Sequence, residues 1–297
     1  MTIAQALRNA RTSIDAVDAR VLLRHALGVT NEYLATHTEQ PLSPEQIHLF
    51  QTLVESRQQG EPVAYLTGTR EFYGLELKVT PAVLIPRPET ELLVELALER
   101  IPENQPSTAL DLGTGSGAIA IALAHYRRIA RITATDASNA ALTIAAENIE
   151  KLLTSDGSTD SSLLKNFGDA SPIELLWSDW YTALQSRQFD IIVSNPPYIA
   201  TMDSHLSEGD VRFEPQTALT SGPDGLNALR HIIYHAPAYL HTGGWLLCEH
   251  GYDQAERVQA LFTEVGFTKV FSAQDLAGIP RATGGQLGSI SCPPQKD

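Results

Sequence analysis

The chain has 297 residues, 43% of them hydrophobic, and carries a formal net charge of −14 from 21 lysines and arginines against 35 acidic residues. The length exceeds one ordinary hydrophobic core, so two domains are predicted, and the acidic balance disfavours sequence-independent binding to a phosphate backbone while suiting a protein partner with a basic surface. No run of about 18 apolar residues occurs, so no membrane span is predicted, and Met1-Thr2-Ile3-Ala4-Gln5 has no charged segment leading into an apolar one, so no signal peptide is read. Cys248 and Cys292 are the only cysteines. Two of them make no disulfide framework and fit a reducing cytosol, so the expected location is cytoplasmic.

Residues 1 to about 60 read as short helices. Asp15 is placed to cap a helix carrying Val17, Val21, Leu22 and Leu27, with Gly28 as its stop. Asn31 is read as the cap of the next. Ser43-Pro44-Glu45-Gln46 is a start signal with serine at the cap, proline in the first position and glutamine in the third. The helix beyond it shows Ile47, Phe50, Leu53 and Val54 on one face and ends near Gly60. Residues 70–86 change period: Phe72, Leu75, Leu77 and Val79 among polar neighbours predict a hairpin. Pro81, Pro86 and Pro88 then break the chain, and a domain boundary is placed near residue 84. Helix resumes at Thr90 with Leu92, Leu93, Leu96 and Ala97. Beyond it, strands are predicted near 108–112, 130–135, 173–177, 189–194, 244–249 and 268–272, with helices between them. That alternation implies an α/β fold with a parallel sheet covered on both faces. The polar stretch Ser155 to Ser162 reads as a surface loop.

Two motifs sit at the ends of predicted strands. Asp111-Leu112-Gly113-Thr114-Gly115-Ser116-Gly117 joins an apolar strand to the helix opening Ala118 to Ala124. Its glycines permit a tight turn and close approach of a ligand to the backbone, but the spacing is G-x-G-x-G and lacks the third glycine of the dinucleotide fingerprint. Asp136 ends the next strand, 19 residues after Gly117. An acid there can accept both hydroxyls of a ribose, or cap the helix that starts near Ala137. The second motif is Asn195-Pro196-Pro197-Tyr198, after the buried run Phe189 to Ser194. Two prolines cannot continue a central strand and hold the backbone extended. Asn195 is left at the carboxyl end of the strand, where open α/β sheets bind ligands. Its amide, the outward carbonyls of the proline run and the flat wall of Tyr198 suit a planar group carrying an NH2.

Together these motifs resemble the class I S-adenosylmethionine-dependent methyltransferases. Most of residues 60 to 255 is similar to one family among them, the HemK/PrmC enzymes, which methylate a glutamine side-chain amide in peptide release factors. The resemblance runs through Gly68-Thr69-Arg70-Glu71-Phe72-Tyr73-Gly74, Leu84-Ile85-Pro86-Arg87-Pro88-Glu89-Thr90-Glu91, the glycine loop, Ser178-Asp179-Trp180, the NPPY motif, Arg212-Phe213-Glu214-Pro215 and Leu247-Cys248-Glu249-His250-Gly251. It implies a Rossmann-like sheet, mostly parallel, with a last antiparallel strand near Gln286–Cys292. The implied domains are a helical substrate-binding domain over 1–69, a hairpin linker over 70–84 and a methyltransferase domain over 85–297.

The resemblance also implies the roles. The donor is S-adenosylmethionine, leaving S-adenosylhomocysteine, and no metal. Gly113, Thr114, Gly115, Ser116 and Gly117 approach its amino-acid part, Asp136 takes the ribose, Asp179 and Trp180 form the adenine region, and Asn195 adjoins the donor. Asn195 and Pro196 are the catalytic pair, and with Pro197 and Tyr198 they bind the acceptor amide. The implied acceptor is the glutamine of the GGQ motif in class 1 peptide chain release factors, with no direct nucleic-acid partner. The main alternative is a nucleic-acid amino methyltransferase, because NPPY also serves the exocyclic amines of adenine and guanine. Phe72 is a weaker candidate for closing the site from the hairpin, and Glu249 is read as a structural or a pocket acid. His231 and His235, one helical turn apart, lack the companions of a metal site. Gly284-Gly285-Gln286 reproduces the tripeptide methylated in release factors, and a turn before the last strand accounts for it better than self-methylation.

Overall fold

The computed structural model describes residues 1–154 and 171–288, which form two compact units. The predicted loop at 155–162 and Cys292 lie outside the described residues.

The first unit comprises Met1–Thr69, Val79–Pro81 and Ser204–Glu214. Its helices are Ile3–Ala10, Ala16–Leu27, Asn31–Thr36, Pro44–Gln58 and Val63–Thr67. Asp15 and Gly28 bound the second of these, Gly28 at φ 65°. Ser43 and Gln46 form a reciprocal capping box on the fourth. Two local readings need correction. Thr30, not Asn31, caps the third helix, because its hydroxyl accepts from the Tyr33 amide. Val17 is exposed, and the buried stripe of its helix is Ala19, Leu22 and Leu23, which pack with Ile3, Leu34, Phe50 and Leu53. Arg57 ties the later segment to this bundle by donating to Asp18 at 2.7 Å and Asp210 at 2.8 Å.

The second unit comprises Arg70–Lys78, Ala82–Asp203 and Pro215–Asp297. Strands β1 (Thr69–Phe72) and β2 (Leu75–Lys78) pair as a hairpin. Tyr73 and Gly74 make its two-residue turn, both at positive φ (51° and 79°), which matches the right-handed twist of the flanking strands. The main sheet holds β3 (Ser107–Leu112), β4 (Ala130–Asp136), β5 (Ile173–Trp177), β6 (Phe189–Ser194), β7 (Leu240–Glu249), β8 (Phe267–Gln274) and β9 (Pro280–Leu287), in the order β5-β4-β3-β6-β7-β9-β8. β9 runs antiparallel to both β7 and β8, and the pairs among β3 to β7 are parallel.

Side chains alternate across this sheet as period two requires. Ala109, Ile191, Val193 and Leu247 face one core with the helices Glu91–Leu98 and Ala118–Tyr126. Leu110, Leu112, Ile192, Leu246 and Cys248 face the other with Asn227–His235 and Ala255–Val265. Each fully buried leucine or isoleucine contributes about 1.5–3 kcal/mol relative to exposure. The antiparallel strand lies earlier than Gln286–Cys292, over Pro280–Leu287, so Gly284 and Gly285 are in its interior and not in a turn. A Cβ on Gly284 would stand 2.7 Å from the Phe271 ring, and one on Gly285 would stand 2.8 Å from Phe262. These glycines let β9 slot between its neighbours beneath bulky aromatic rings.

Candidate active site

The strand order reverses direction at β3, which pairs with β4 on one side and β6 on the other. Leu112, the last residue of β3, is level with Ser194 of β6 and with Thr135 of β4. The glycine loop, Asn195 and Asp136 therefore leave three adjacent strands at one height, at the carboxyl edge where such sheets bind ligands. They border a cavity of about 540 Å³.

The glycine loop is shaped by its backbone. Gly113, Gly115 and Gly117 have φ of 73°, 56° and 85°, values that L side chains rarely adopt. The Gly113 and Thr114 amides both donate to the Thr135 carbonyl at 2.9 Å, and the Gly115 amide donates to Asp136 Oδ2 at 2.9 Å. Beneath it lies Asp111, fully buried. Its Oδ2 accepts from the Thr114 hydroxyl at 2.6 Å and the Ala120 amide at 3.2 Å, and its Oδ1 has no hydrogen-bond partner. Burial pushes this carboxyl up to about 7, against those two hydrogen bonds. Burial also raises Asp136, opposed by the amides of Ser138, Gly115 and Ala137. Asp136 is not the cap of the following helix. Ser138 is, through its hydroxyl and the Ala141 amide, and Asp136 Oδ1 accepts from the Ser138 amide at 2.8 Å.

Of the residues singled out, Gly113, Gly115, Asp136, Asp179, Trp180, Asn195, Pro196 and Pro197 line the cavity. Thr114, Ser116, Gly117 and Tyr198 do not. Thr114 and Ser116 are buried, the first turned down onto Asp111. Gly117 opens the helix Ala118–Tyr126, where a Cβ would meet Ile121 at 3.1 Å. Trp180 holds an unusual φ of 51°, with its carbonyl accepting from the Ser178 hydroxyl at 2.6 Å. Its ring lies 6.1 Å from that of His231, which stacks in turn on His235 at 4.3 Å. Phe72 is fully buried in the core and does not line the cavity. Its strand turns that side chain inward, so the hairpin does not close the site through it.

The Asn-Pro-Pro-Tyr segment ends β6 and is held from behind. Gln254 Nε2 donates to the Tyr198 carbonyl at 2.9 Å, and Gly225 packs so closely on that carbonyl that no Cβ would fit. Asn195 Nδ2 donates to the Thr90 hydroxyl oxygen at 3.0 Å. The Tyr198 hydroxyl donates to Glu249 Oε1 at 3.1 Å. Glu249 is therefore a buried acid behind the motif. Burial pushes it up to about 7, against hydrogen bonds from Thr90 and Tyr198. Burial and the adjacent Glu249 also raise the Tyr198 phenol, which stays protonated.

Comparison with known proteins fits this geometry. Residues 2–68 match the PrmC N-terminal domain family and residues 90–210 the methyltransferase small domain. The release factor glutamine methyltransferase of Burkholderia pseudomallei (strain K96243) is 49% identical over 287 residues, 96% of each chain. The chain belongs to the release factor glutamine methyltransferase family. The relative of that name from Escherichia coli (strain K12) is 44% identical over 269 residues, 91% of each chain. A methyltransferase from Pyrococcus furiosus is 16% identical, with a TM-score of 0.52 over 80% of this chain and 98% of that one, which speaks to the fold alone.

Within this family member, sequence reasoning missed several cavity residues. Ala82, Val83 and Leu84 come from the proline-rich segment after the hairpin, and Pro215, Thr217 and Ala218 lie at or just beyond the end of the Arg-Phe-Glu-Pro motif. The motifs that carry them are visible, but nothing local shows that the residues beside them line a cavity. Thr90 signals only a helix start in the sequence. Among the described residues no helix is long and apolar enough to cross a membrane.

Proposed function

We propose that this chain transfers the methyl group of S-adenosylmethionine to the side-chain amide nitrogen of the glutamine in the GGQ motif of class 1 peptide chain release factors. The observation that carries the reading is the register of β3 with β6, which sets Asn195 beside the glycine loop at a single cavity.

The cavity residues fit the donor. Beneath the glycine loop and outside the cavity lining, Asp111 keeps an oxygen with no partner, and a cation close by would favour the ionised form that burial opposes. Asp136 keeps lone-pair capacity for a diol beyond the backbone amides it already accepts from. Trp180 supplies a flat apolar face. When bound, the donor supplies an electrophilic methyl on a sulfonium.

A carboxamide nitrogen is a poor nucleophile because its lone pair is delocalised into the carbonyl, and no side chain removes its proton near neutral pH. The protein acts by placement and electrostatics. Asn195 Oδ1 and the Pro196 carbonyl each accept one N–H of the substrate amide, holding the nitrogen pyramidal with its lone pair toward the methyl. Both contacts strengthen as the nitrogen becomes cationic, so they favour the transition state over the ground state. Pro197, which lines the cavity, packs the flat amide, and Tyr198 braces the segment from behind through Glu249. The helical unit, which contains none of the cavity residues, grips the protein substrate.

The test is methyl transfer from radiolabelled donor to purified release factor, bulk RNA and DNA in parallel. Label confined to release factor supports the reading. Label confined to nucleic acid replaces it with an exocyclic amine methyltransferase.

A further inference from the structure

Thr90 precedes the helix Glu91–Leu98 in the capping position, yet its side chain makes no capping hydrogen bond. Threonine is favoured at helix caps because its hydroxyl satisfies a free amide. Here the residue is 4% exposed and its oxygen instead accepts from Asn195 Nδ2 at 3.0 Å. Glu249, 2% exposed at the end of β7, is a carboxyl kept in the interior at a cost to stability. Tyr198 donates to its Oε1 at 3.1 Å while its Oε2 has no hydrogen-bond partner; Thr90 and Arg281 also favour its ionised form, and Glu89 opposes it.

We infer that Thr90 and Glu249 are positioning residues that decide which atom of Asn195 faces the acceptor amide. Their role as positioners rests on the function proposed above, and the donor and acceptor capacity of each group dictates the direction of the chain. Above about pH 7 the Glu249 carboxyl is mainly ionised and only accepts, so the hydroxyls of Tyr198 and Thr90 both point their hydrogens at it. Once its hydrogen is committed, the Thr90 oxygen can only accept. Asn195 must then present its NH2 to Thr90, and its carbonyl oxygen is turned to the cavity. A flipped amide would set an oxygen against the Thr90 oxygen and a donor against the substrate NH2, where no hydrogen bond forms. The chain thus imposes acceptor character on the one side chain that must accept, and fixes the Tyr198 ring from the same carboxylate. Neither residue lines the cavity, whereas Asn195 does, so each acts through its neighbours.

The test compares Thr90→Val, Thr90→Ser and Glu249→Gln with wild type in the full chain, using S-adenosylmethionine and intact release factor. Thr90→Val preserves volume and removes the hydroxyl. It should lower kcat about ten- to a hundredfold, while donor affinity by calorimetry stays within about threefold. Thr90→Ser should recover most of the loss. Glu249→Gln, whose amide can donate to Thr90, should lower kcat about tenfold and split the Asn195 orientation. Nuclear magnetic resonance of the Asn195 side-chain NH2 reads the chain independently of turnover: one slowly exchanging hydrogen in wild type and in Thr90→Ser, none in Thr90→Val. A Thr90→Val enzyme with wild-type kcat, or a serine variant no better than the valine one, overturns the inference. Where Thr90→Val misfolds, wild-type kcat in Glu249→Gln overturns it equally. If wild type methylates no release factor, the proposed function fails, and the resonance measurement still decides the hydrogen-bond chain.

Discussion

Replacing Asp111 by asparagine should make the ligand-free protein more stable at alkaline pH and less stable at acid pH. The carboxyl is fully buried, and its pKa is pushed from 3.8 to about 7. A group raised on folding stabilises the native state below its unfolded pKa and loses that contribution as pH rises through the folded one. The window here runs from about pH 4 to about pH 7, and about three units at about 1.4 kcal/mol each amount to about 4 kcal/mol. Asparagine does not titrate. It keeps an oxygen for Thr114 and Ala120 but sets an N–H pair where Oδ1 has no partner, at a cost of about 1–3 kcal/mol. Wild type should therefore be the more stable below about pH 5, and the variant by about 1–3 kcal/mol above about pH 7. Urea unfolding of both proteins without donor, from pH 5 to 8, measures the difference. Its slope should approach about 1.4 kcal/mol per pH unit in the middle of the window. Glu249, also raised, titrates in both proteins and cancels. A difference that stays flat across this range would refute the reasoning.

Asp136→Ala should weaken donor binding by about 1–3 kcal/mol, since it removes a charged acceptor and frees the Gly115 and Ser138 amides; calorimetric titration with S-adenosylmethionine checks this, and unchanged affinity speaks against it. Asn195→Ala should lower kcat by roughly 10²-fold or more with donor KM nearly unchanged, the pattern for a contact that tightens in the transition state; steady-state kinetics with each substrate varied separately would show instead a raised donor KM at normal kcat if Asn195 served donor binding. Gly284→Ala should destabilise the second unit by about 1–3 kcal/mol, because the new Cβ would press on Leu247 at 2.5 Å and Phe271 at 2.7 Å; a midpoint equal to wild type in denaturant unfolding contradicts the packing described for β9.

Much of the architecture is legible in the sequence because its signals are local. The apolar runs that form β3, β4 and β6 alternate or cluster at strand length, and the glycine loop and Asn-Pro-Pro-Tyr punctuate two of them. Ser43 to Gln46 carries a complete capping box. The features that escape depend on partners distant in sequence. Gly284 and Gly285 look like a turn because glycine usually marks one, yet Phe262 and Phe271 make glycine necessary inside a strand. Asp136 and Ser138 both suit a helix cap, and only the reach of the Gly115 amide assigns the first to the loop. Ser204–Glu214 belongs with the helical unit, where Arg57 meets Asp210, 153 positions away, and Arg212 meets the Gln59 carbonyl. Thr90 and Asn195 are 105 positions apart, and Tyr198 and Glu249 51, so no spacing rule announces the hydrogen bonds behind the Asn-Pro-Pro-Tyr segment. Phe72 sits in a family-like motif, but its burial is decided by the hairpin turn that sets which strand face meets the core.

The most direct test of the central claim is mass spectrometry of a class 1 release factor after incubation with this protein and S-adenosylmethionine, beside the same factor with its GGQ glutamine changed to asparagine. The predicted result is one added methyl group, located on that glutamine, and none on the substituted factor. Equal methylation of both factors, or none on either while RNA or DNA in the same mixture is labelled, would contradict it.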